Sequence, residues 1–370
     1  MSFIPVNEPL LAGNEKAYLT QCIETGWISS EGSFVHQFEE GMAARVGRQY
    51  GIAVSNGTVA LEVAIAALKI GAGDEVILPT FTIISCAAAI VRAGATPVVV
   101  DAEPDTWNMA VEQIEEKITP RTRAIMVVHI YGLPVDMDKV QAIADRHKLF
   151  IIEDAAEMHG QTYRHKPCGS FGIISTLSFY ANKHITTGEG GMVLTNDPDL
   201  AERCRSLRNL CFQPQQRFIH EELGWNYRMS NVQAAIGVAQ LEQLDNFVQR
   251  KRHMGEQYTK AFQDLVDVQL PLVKTDSAEN IYWVYGLVLG DCHPSVADVM
   301  QHLKQKGIGT RPFFWCMHEQ PIFRKMGLFA NVYCPVAERL SRQGFYIPSG
   351  LGLTEEGIKQ VIHAVQEVLQ

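Results

Sequence analysis

The chain has little positive charge to spare: 32 Lys and Arg stand against 41 Asp and Glu, a net charge of −9. Such a surface repels DNA, RNA and anionic lipid at long range, so any anionic ligand must be met by a local cationic pocket. No uninterrupted apolar run is long enough to cross a bilayer, and Met1 to Leu10 lack the basic stretch and apolar core of a secretory signal. A cytoplasmic protein that acts on neither nucleic acid nor membrane is expected. The eight cysteines form no CxxC pair, and neither they nor the twelve histidines show zinc-ligand spacing. No metal centre is expected, and the cysteines read as small buried hydrophobes in a reducing compartment. Repeats and low-complexity tracts are also missing, as is a nicotinamide-type GxGxxG after the first strand.

What is there is a 370-residue chain with 46% hydrophobic and 20% charged side chains, enough for roughly two or three folding units. From Ile52 to Asn196, short β-branched runs alternate with segments of helical period. Strands are expected at Ile52–Val54, Glu75–Leu78, Pro97–Asp101, Ala124–Tyr131, Leu149–Asp154, Ser175–Tyr180 and Met192–Thr195. Helices are expected at Thr58–Ile70, Ile83–Ala93, Val111–Ile118, Val135–His147 and Pro198–Arg208. This is the pattern of an α/β fold with a mostly parallel sheet covered on both faces. A long helix over Asn231–Leu265 could bridge to a smaller C-terminal α/β unit built from the strand Tyr282–Leu289 and the helices Ser295–Lys306 and Thr354–Leu369. The boundary is placed near residue 245, giving a large unit at 1–245 and a small one at 246–370.

Three places could carry chemistry. Ser55, Asn56, Gly57 and Thr58 join a strand to a helix that starts at once, presenting free N–H groups and the positive end of a helix dipole to an anion; taken alone, an ordinary N-cap with a turn glycine explains them better. Asp154 ends a strand at the edge where parallel sheets bind ligands, and could keep a pyridine nitrogen protonated or merely cap a helix. Lys183 leaves a buried strand just before the glycine-rich turn Gly188–Gly191. Desolvation would make it a neutral amine able to attack a carbonyl, whereas a snorkelling lysine is the plain alternative. Taken in order, the phosphate turn, the aspartate and the lysine are the three fixed points that pyridoxal phosphate requires.

The residues also resemble the fold-type I pyridoxal-phosphate enzymes, in particular the DegT/DnrJ/EryC1/StrS sugar aminotransferases, over nearly the whole chain. The likeness lies in Gly26–Ser30 (GWISS), Val54–Leu61 (VSNGTVAL), His129–Gly132 (HIYG), Ile152–Glu157 (IEDAAE), Ile185–Met192 (ITTGEGGM), Asn226–Gln233 (NYRMSNVQ) and Thr310–Phe313 (TRPF). The resemblance implies a seven-stranded sheet and a homodimer with shared active sites. It also implies transfer of an amino group from glutamate, through pyridoxamine phosphate, to C4 of a nucleotide-linked 4-keto-6-deoxy sugar, foremost GDP-4-keto-6-deoxy-D-mannose. A UDP- or dTDP-ketosugar is the alternative, as is the related dehydration at C3. In that 3-dehydratase branch histidine replaces the lysine; here Lys183 is kept and His184 follows it, which favours amino transfer.

By family position Lys183 would be catalytic, bonded to the cofactor as an imine. Asp154 would pair with the pyridine nitrogen, and Glu157 would sit near the ring hydroxyl. Gly57, Thr58 and Ser178 would bind the phosphate, with Asn226 reaching it from the neighbouring subunit. Arg217, Arg228 and Arg311 are the cationic candidates for the nucleotide, and Trp27, Ser30 and His318 would lie near sugar or nucleotide. Ile83 stands where the family commonly stacks an aromatic on the pyridine ring; Phe81 would compensate only if the loop is shifted.

Overall fold

The computed structural model describes residues 3–213 and 215–369. Met1, Ser2 and Gln370, at the outer ends of the two expected units, and Pro214 lie outside the described residues. The chain opens with α1 (Glu15–Thr25) and α2 (Ser33–Val46), then alternates β1 (Tyr50–Val54), α3 (Gly57–Ala67), β2 (Glu75–Pro79), α4 (Ile84–Arg92), β3 (Thr96–Val100), β4 (Thr122–Val128), α5 (Met137–His147) and β5 (Phe150–Asp154). A hairpin of β6 (Thr162–Tyr163) and β7 (Lys166–Pro167) precedes β8 (Ile174–Ser178), β9 (Gly191–Thr195) and α6 (Pro198–Arg208).

Seven strands form one sheet in the order β1-β9-β8-β5-β4-β2-β3. β9 runs antiparallel to β1 and β8, and the other pairs are parallel. Both faces are covered: along β4, Ala124, Met126 and Val128 join one apolar cluster while Ile125 and Val127 join the other. Burial on two faces is why these strands read as continuous apolar runs. The parallel strands end at one edge with Val54, Pro79, Val128, Asp154 and Ser178, and Gly191 opens β9 at the same edge.

α7 (Asn231–Leu241) and α8 (Leu244–Phe262) replace the single long helix expected over 231–265. The break falls at Glu242 and Gln243, where the Glu242 carboxylate accepts hydrogen bonds from Asn14 (2.7 Å) and the Tyr18 hydroxyl (2.6 Å). α7 packs on α2, and a Cβ at Gly237 would stand 2.7 Å from the Phe38 ring, so glycine allows that close approach. α8 carries the chain to a second sheet, β10 (Val268–Gln269), β11 (Tyr285–Leu289), β12 (Arg311–Pro312) and β13 (Gly344–Ile347), in the order β10-β11-β13-β12. Its helices are α9 (Val296–Gln305), α10 (Pro321–Lys325), α11 (Pro335–Gln343) and α12 (Glu355–Leu369). Tyr258, Tyr282, Tyr285, Leu287 and Val361 centre its own core.

The expected helix over 111–118 is instead two single 3₁₀ turns, Val111–Gln113 and Glu115–Lys117. Neither turn has a side-chain cap, and eight residues interrupted at the buried Ile114 do not repay helix nucleation.

Candidate active site

One cavity of about 1140 Å³ opens at the carboxyl edge of the large sheet. Gly57, Thr58, Asp154, Glu157, Ser178 and Lys183 all line it. Six residues separated by as many as 126 positions (183 minus 57) meet there because β1, β8 and β5 end at the same edge of the sheet, with the start of β9 between β1 and β8.

The floor at one end is made of helix starts. Asn56 caps α3, its Oδ1 accepting from Val59 N–H at 3.0 Å, while the N–H groups of Gly57 and Thr58 have no acceptor among the described residues. α4 begins beside it without a side-chain cap. The Thr58 and Ser85 hydroxyls lie 2.8 Å apart, and Ser178 completes a set of three hydroxyls lining the wall. The turn is packed tightly: a Cβ on Gly57 would stand 2.7 Å from Ser178 Cβ, and one on Gly191 only 2.3 Å from the Asn56 carbonyl. Two dipole ends with unused N–H groups favour a dianion, whereas the arginine lining this cavity, Arg92, is paired with Glu62.

Asp154 closes the cavity from below. Its Oδ1 accepts from Ala156 N–H at 3.0 Å, and its Oδ2 accepts from the Cys86 thiol at 3.4 Å. Burial raises the Asp154 pKa and pushes that of Cys86 well up, so the thiol stays protonated and remains a donor. A carboxylate so desolvated gains by pairing with a cationic N–H, as a protonated pyridine would provide. Beside it on β8, the Thr176 hydroxyl is buried, lines the cavity and has no partner among the described residues.

Lys183 enters from the loop after β8, only 11% of its side chain exposed. Its Nζ lies 3.8 Å from Glu157 Oε1 and 3.8 Å from the centroid of the Trp283 ring. Burial pulls the amine below its ordinary pKa, against the opposing pull of Glu157, Asp154 and Cys86. Burial likewise lifts Glu157 to about 8, with Lys183 resisting. Glu157 Oε2 is held by the N–H of Tyr131 at 2.7 Å, which reaches it because Tyr131 adopts φ +57°. Tyr131 belongs to the HIYG turn, and His129 of that turn bonds Glu153 at 3.1 Å and accepts from Val135 N–H at 3.0 Å. His129, Glu153 and Cys168 lie close enough to suggest a metal, but Glu153 already accepts from Gly169 and Phe171 as well (2.6 and 2.7 Å), so the cluster is a structural knot.

The other expected residues do not line this chain's cavity. Trp27 is 56% exposed, Asn226 and Arg217 are exposed, and Ser30 is half-buried. Arg228 ties Asn226 Oδ1 to Asn209 Oδ1, each at 2.9 Å. Arg311 is an exposed residue on β12 opposite Tyr346, whose side chain does line the cavity. His318 is buried between Thr80 (2.7 Å) and Glu338 (3.1 Å). His184 turns away from the cavity to the Ile281 carbonyl at 3.2 Å. Ile83 is in the wall, 43% exposed, whereas Phe81 is wholly buried against Phe313 and Tyr131 and does not stack in its place. Cys86, Ser85, Thr176, Tyr227 and Trp283 escaped the sequence reading. Ser85 and Cys86 open a predicted helix at the right edge, a signal that was available; Trp283 arrives from a distant loop and gave none.

An aldehyde-reactive amine, an acid beneath and an anion cradle opposite fit pyridoxal phosphate. The orphaned Thr176 hydroxyl, the unused N–H groups and the Gly57–Ser178 contact mark space shaped for a ligand.

Comparison with known proteins gives the same answer. The profile of the DegT/DnrJ/EryC1/StrS aminotransferase family matches residues 9–366. A GDP-perosamine synthase of Escherichia coli O157:H7 is 42% identical over 367 residues, covering 99% of both chains. Another, from Caulobacter vibrioides, is 43% identical over 368 residues, covering 99% of this chain and 98% of that one. Among solved structures, S. venezuelae DesV in complex with a ketimine intermediate superposes with a TM-score of 0.91 at 32% identity, covering 99% of this chain and 98% of that one.

Proposed function

This chain belongs to the DegT/DnrJ/EryC1/StrS aminotransferase family, and from there we propose how its cavity works and on what. It is a pyridoxal-phosphate-dependent sugar aminotransferase. The proposed reaction moves the amino group of glutamate to C4 of GDP-4-keto-6-deoxy-D-mannose, giving GDP-perosamine. The observation that carries the amino-transfer reading is Lys183, an amine 11% exposed at the centre of the cavity with Asp154 and the α3 turn around it. The sugar is carried by the end-to-end likeness to two GDP-perosamine synthases at 42% and 43% identity.

Gly57, Thr58 and Ser178 would hold the phosphate, Asp154 the ring nitrogen and Glu157 the ring hydroxyl. Pyridoxal phosphate supplies an aldehyde that accepts nitrogen and a ring that draws electrons from the adjoining carbon. Lys183 Nζ is the amine that would bond the aldehyde carbon, and its burial-lowered basicity would suit it to hold or move a proton at that atom.

The enzyme works as a homodimer in this reading. Asn226, Arg217 and Trp27 are surface residues of one subunit that would complete the phosphate and nucleotide sites of the other, with Arg228, Arg311, Ser30 and His318 as further family candidates. The exposed apolar residues Phe218 (82%) and Leu223 (90%), both following Arg217 on one loop, supply apolar area for such a contact. Dehydration is disfavoured because Lys183 remains and His184 faces Ile281.

A yellow protein whose absorbance band moves on adding glutamate supports the proposal; failure to take up pyridoxal phosphate sinks it. A panel of GDP-, UDP- and dTDP-linked ketosugars assayed with glutamate then tests the nucleotide. Product mass separates the two reaction classes, since amination keeps the sugar oxygen that dehydration loses.

A further inference from the structure

We propose that Trp283 is a positioning residue that holds the free ammonium of Lys183 whenever that amine is not bonded to the cofactor. The inference rests on the reading that Lys183 bonds the cofactor and is later released. A released lysine has a long, flexible stem and a charge in a desolvated cavity, and it must stay beside the reacting carbon. In the structure its Nζ sits 3.8 Å above the Trp283 ring centroid, within the range of a cation–π contact. The indole face attracts the cation while offering no lone pair that competes for its proton, which the Glu157 carboxylate on the other side, also 3.8 Å away, does.

Trp283 is built to be immobile. The ring is almost fully buried, and its Nε1–H donates to the Asn182 carbonyl at 2.9 Å, one residue before the lysine. Its own carbonyl accepts from Lys251 Nζ at 2.8 Å, and its ring lies 5.9 Å from that of Tyr131. The HIYG turn makes room for it: a Cβ on Gly132 would stand 2.6 Å from Tyr282 N and 3.0 Å from Trp283 N, at φ +123°. The same turn therefore fixes Glu157 through Tyr131 and seats the tryptophan through Gly132. Besides Glu157, the titratable groups that feel Lys183 are Asp154, Cys86, His159 and His184.

The test uses full-length wild-type, Trp283→Phe and Trp283→Leu proteins, both cofactor-free and loaded with pyridoxamine phosphate. Acetylation of Lys183 is read by peptide mass spectrometry across neutral to alkaline pH. Losing a cation–π partner should lower the labelling midpoint of Trp283→Leu by about half to one pH unit, with roughly threefold to tenfold faster labelling below it. Trp283→Phe should stay near wild type. Equal midpoints for wild type and Trp283→Leu overturn the proposal. If Trp283→Leu does not fold, wild-type protein carrying 5-fluorotryptophan decides: the Trp283 fluorine resonance should titrate with the Lys183 midpoint, and a resonance that ignores it overturns the proposal. The cofactor-free arm keeps the two ideas apart, because wild-type protein that never binds pyridoxal phosphate defeats the proposed function while leaving the lysine–tryptophan contact measurable.

Discussion

The Cys86 thiol donates to Asp154 Oδ2 across 3.4 Å, with both groups buried. Two opposed effects act on that aspartate: burial raises its pKa, while the thiol and the Ala156 N–H favour its charged form. Removing the thiol should therefore let Asp154 protonate earlier as the pH falls, and with it loosen the ring nitrogen. For Cys86→Ala, a hydrogen bond of about 1 kcal/mol corresponds to an upward move of roughly 0.7 pH unit in the acid limb of cofactor binding. Cys86→Ser should restore it. Absorbance titration of cofactor binding at a series of pH values reads the shift, and an unmoved limb in the alanine variant would show that the thiol only fills space.

The phosphate turn gives a steric prediction. Gly57→Ala would place a methyl 2.7 Å from Ser178 Cβ and 3.0 Å from its Oγ, so the α3 start and the end of β8 must separate. Overpacking of this sort costs about 1–3 kcal/mol. At least about a fivefold loss of affinity for pyridoxal phosphate is expected, with helix content unchanged by circular dichroism. Partial recovery in the Gly57→Ala/Ser178→Gly pair would locate the clash.

His159 makes the protein acid-sensitive. It is buried, stacked 5.3 Å from Phe179, and burial holds its imidazole down at about 3 against an ordinary 6.5. Between those values the unfolded chain binds a proton that the folded chain refuses. Stability present above pH 6.5 is thus lost as the pH falls toward 3. This one group accounts for about 2 kcal/mol between pH 7 and pH 5. His159→Phe, which also removes the unpartnered Nε2, should flatten that loss in urea melts at the two pH values.

Shared active sites can be tested by mixing. Lys183→Ala and Asn226→Ala proteins should each be weak alone. After subunit exchange, half the dimers are hybrids with one intact site of two, so about a quarter of wild-type activity should return. No recovery on exchange, verified by mass spectrometry of the mixed dimers, would place Asn226 in its own subunit's site, and full activity of Asn226→Ala alone would place it outside the chemistry.

The reach of the sequence follows the range of the signals. Strand runs such as Ala124–Val128, the Asn56 cap ahead of Gly57 and the Asp154 strand end are local features, legible because β-branched runs, helix caps and turns depend on neighbouring residues. They located the seven strands and α3 and singled out Gly57, Asp154 and Lys183, which line one cavity, and the family motifs pointed to the chemistry. Tertiary structure alone decided what comes from afar. The long helix breaks at Glu242 because Asn14 and Tyr18 bond there, more than 220 residues away in the chain. Cys86 meets Asp154 across 68 residues, and Trp283 meets Lys183 across 100 (283 minus 183). Such contacts carry no periodicity and no cap. They arise only when helices, strand ends and loops distant in the chain are packed together, and that packing, rather than any local preference, sets the surroundings in which the lysine and the aspartate titrate.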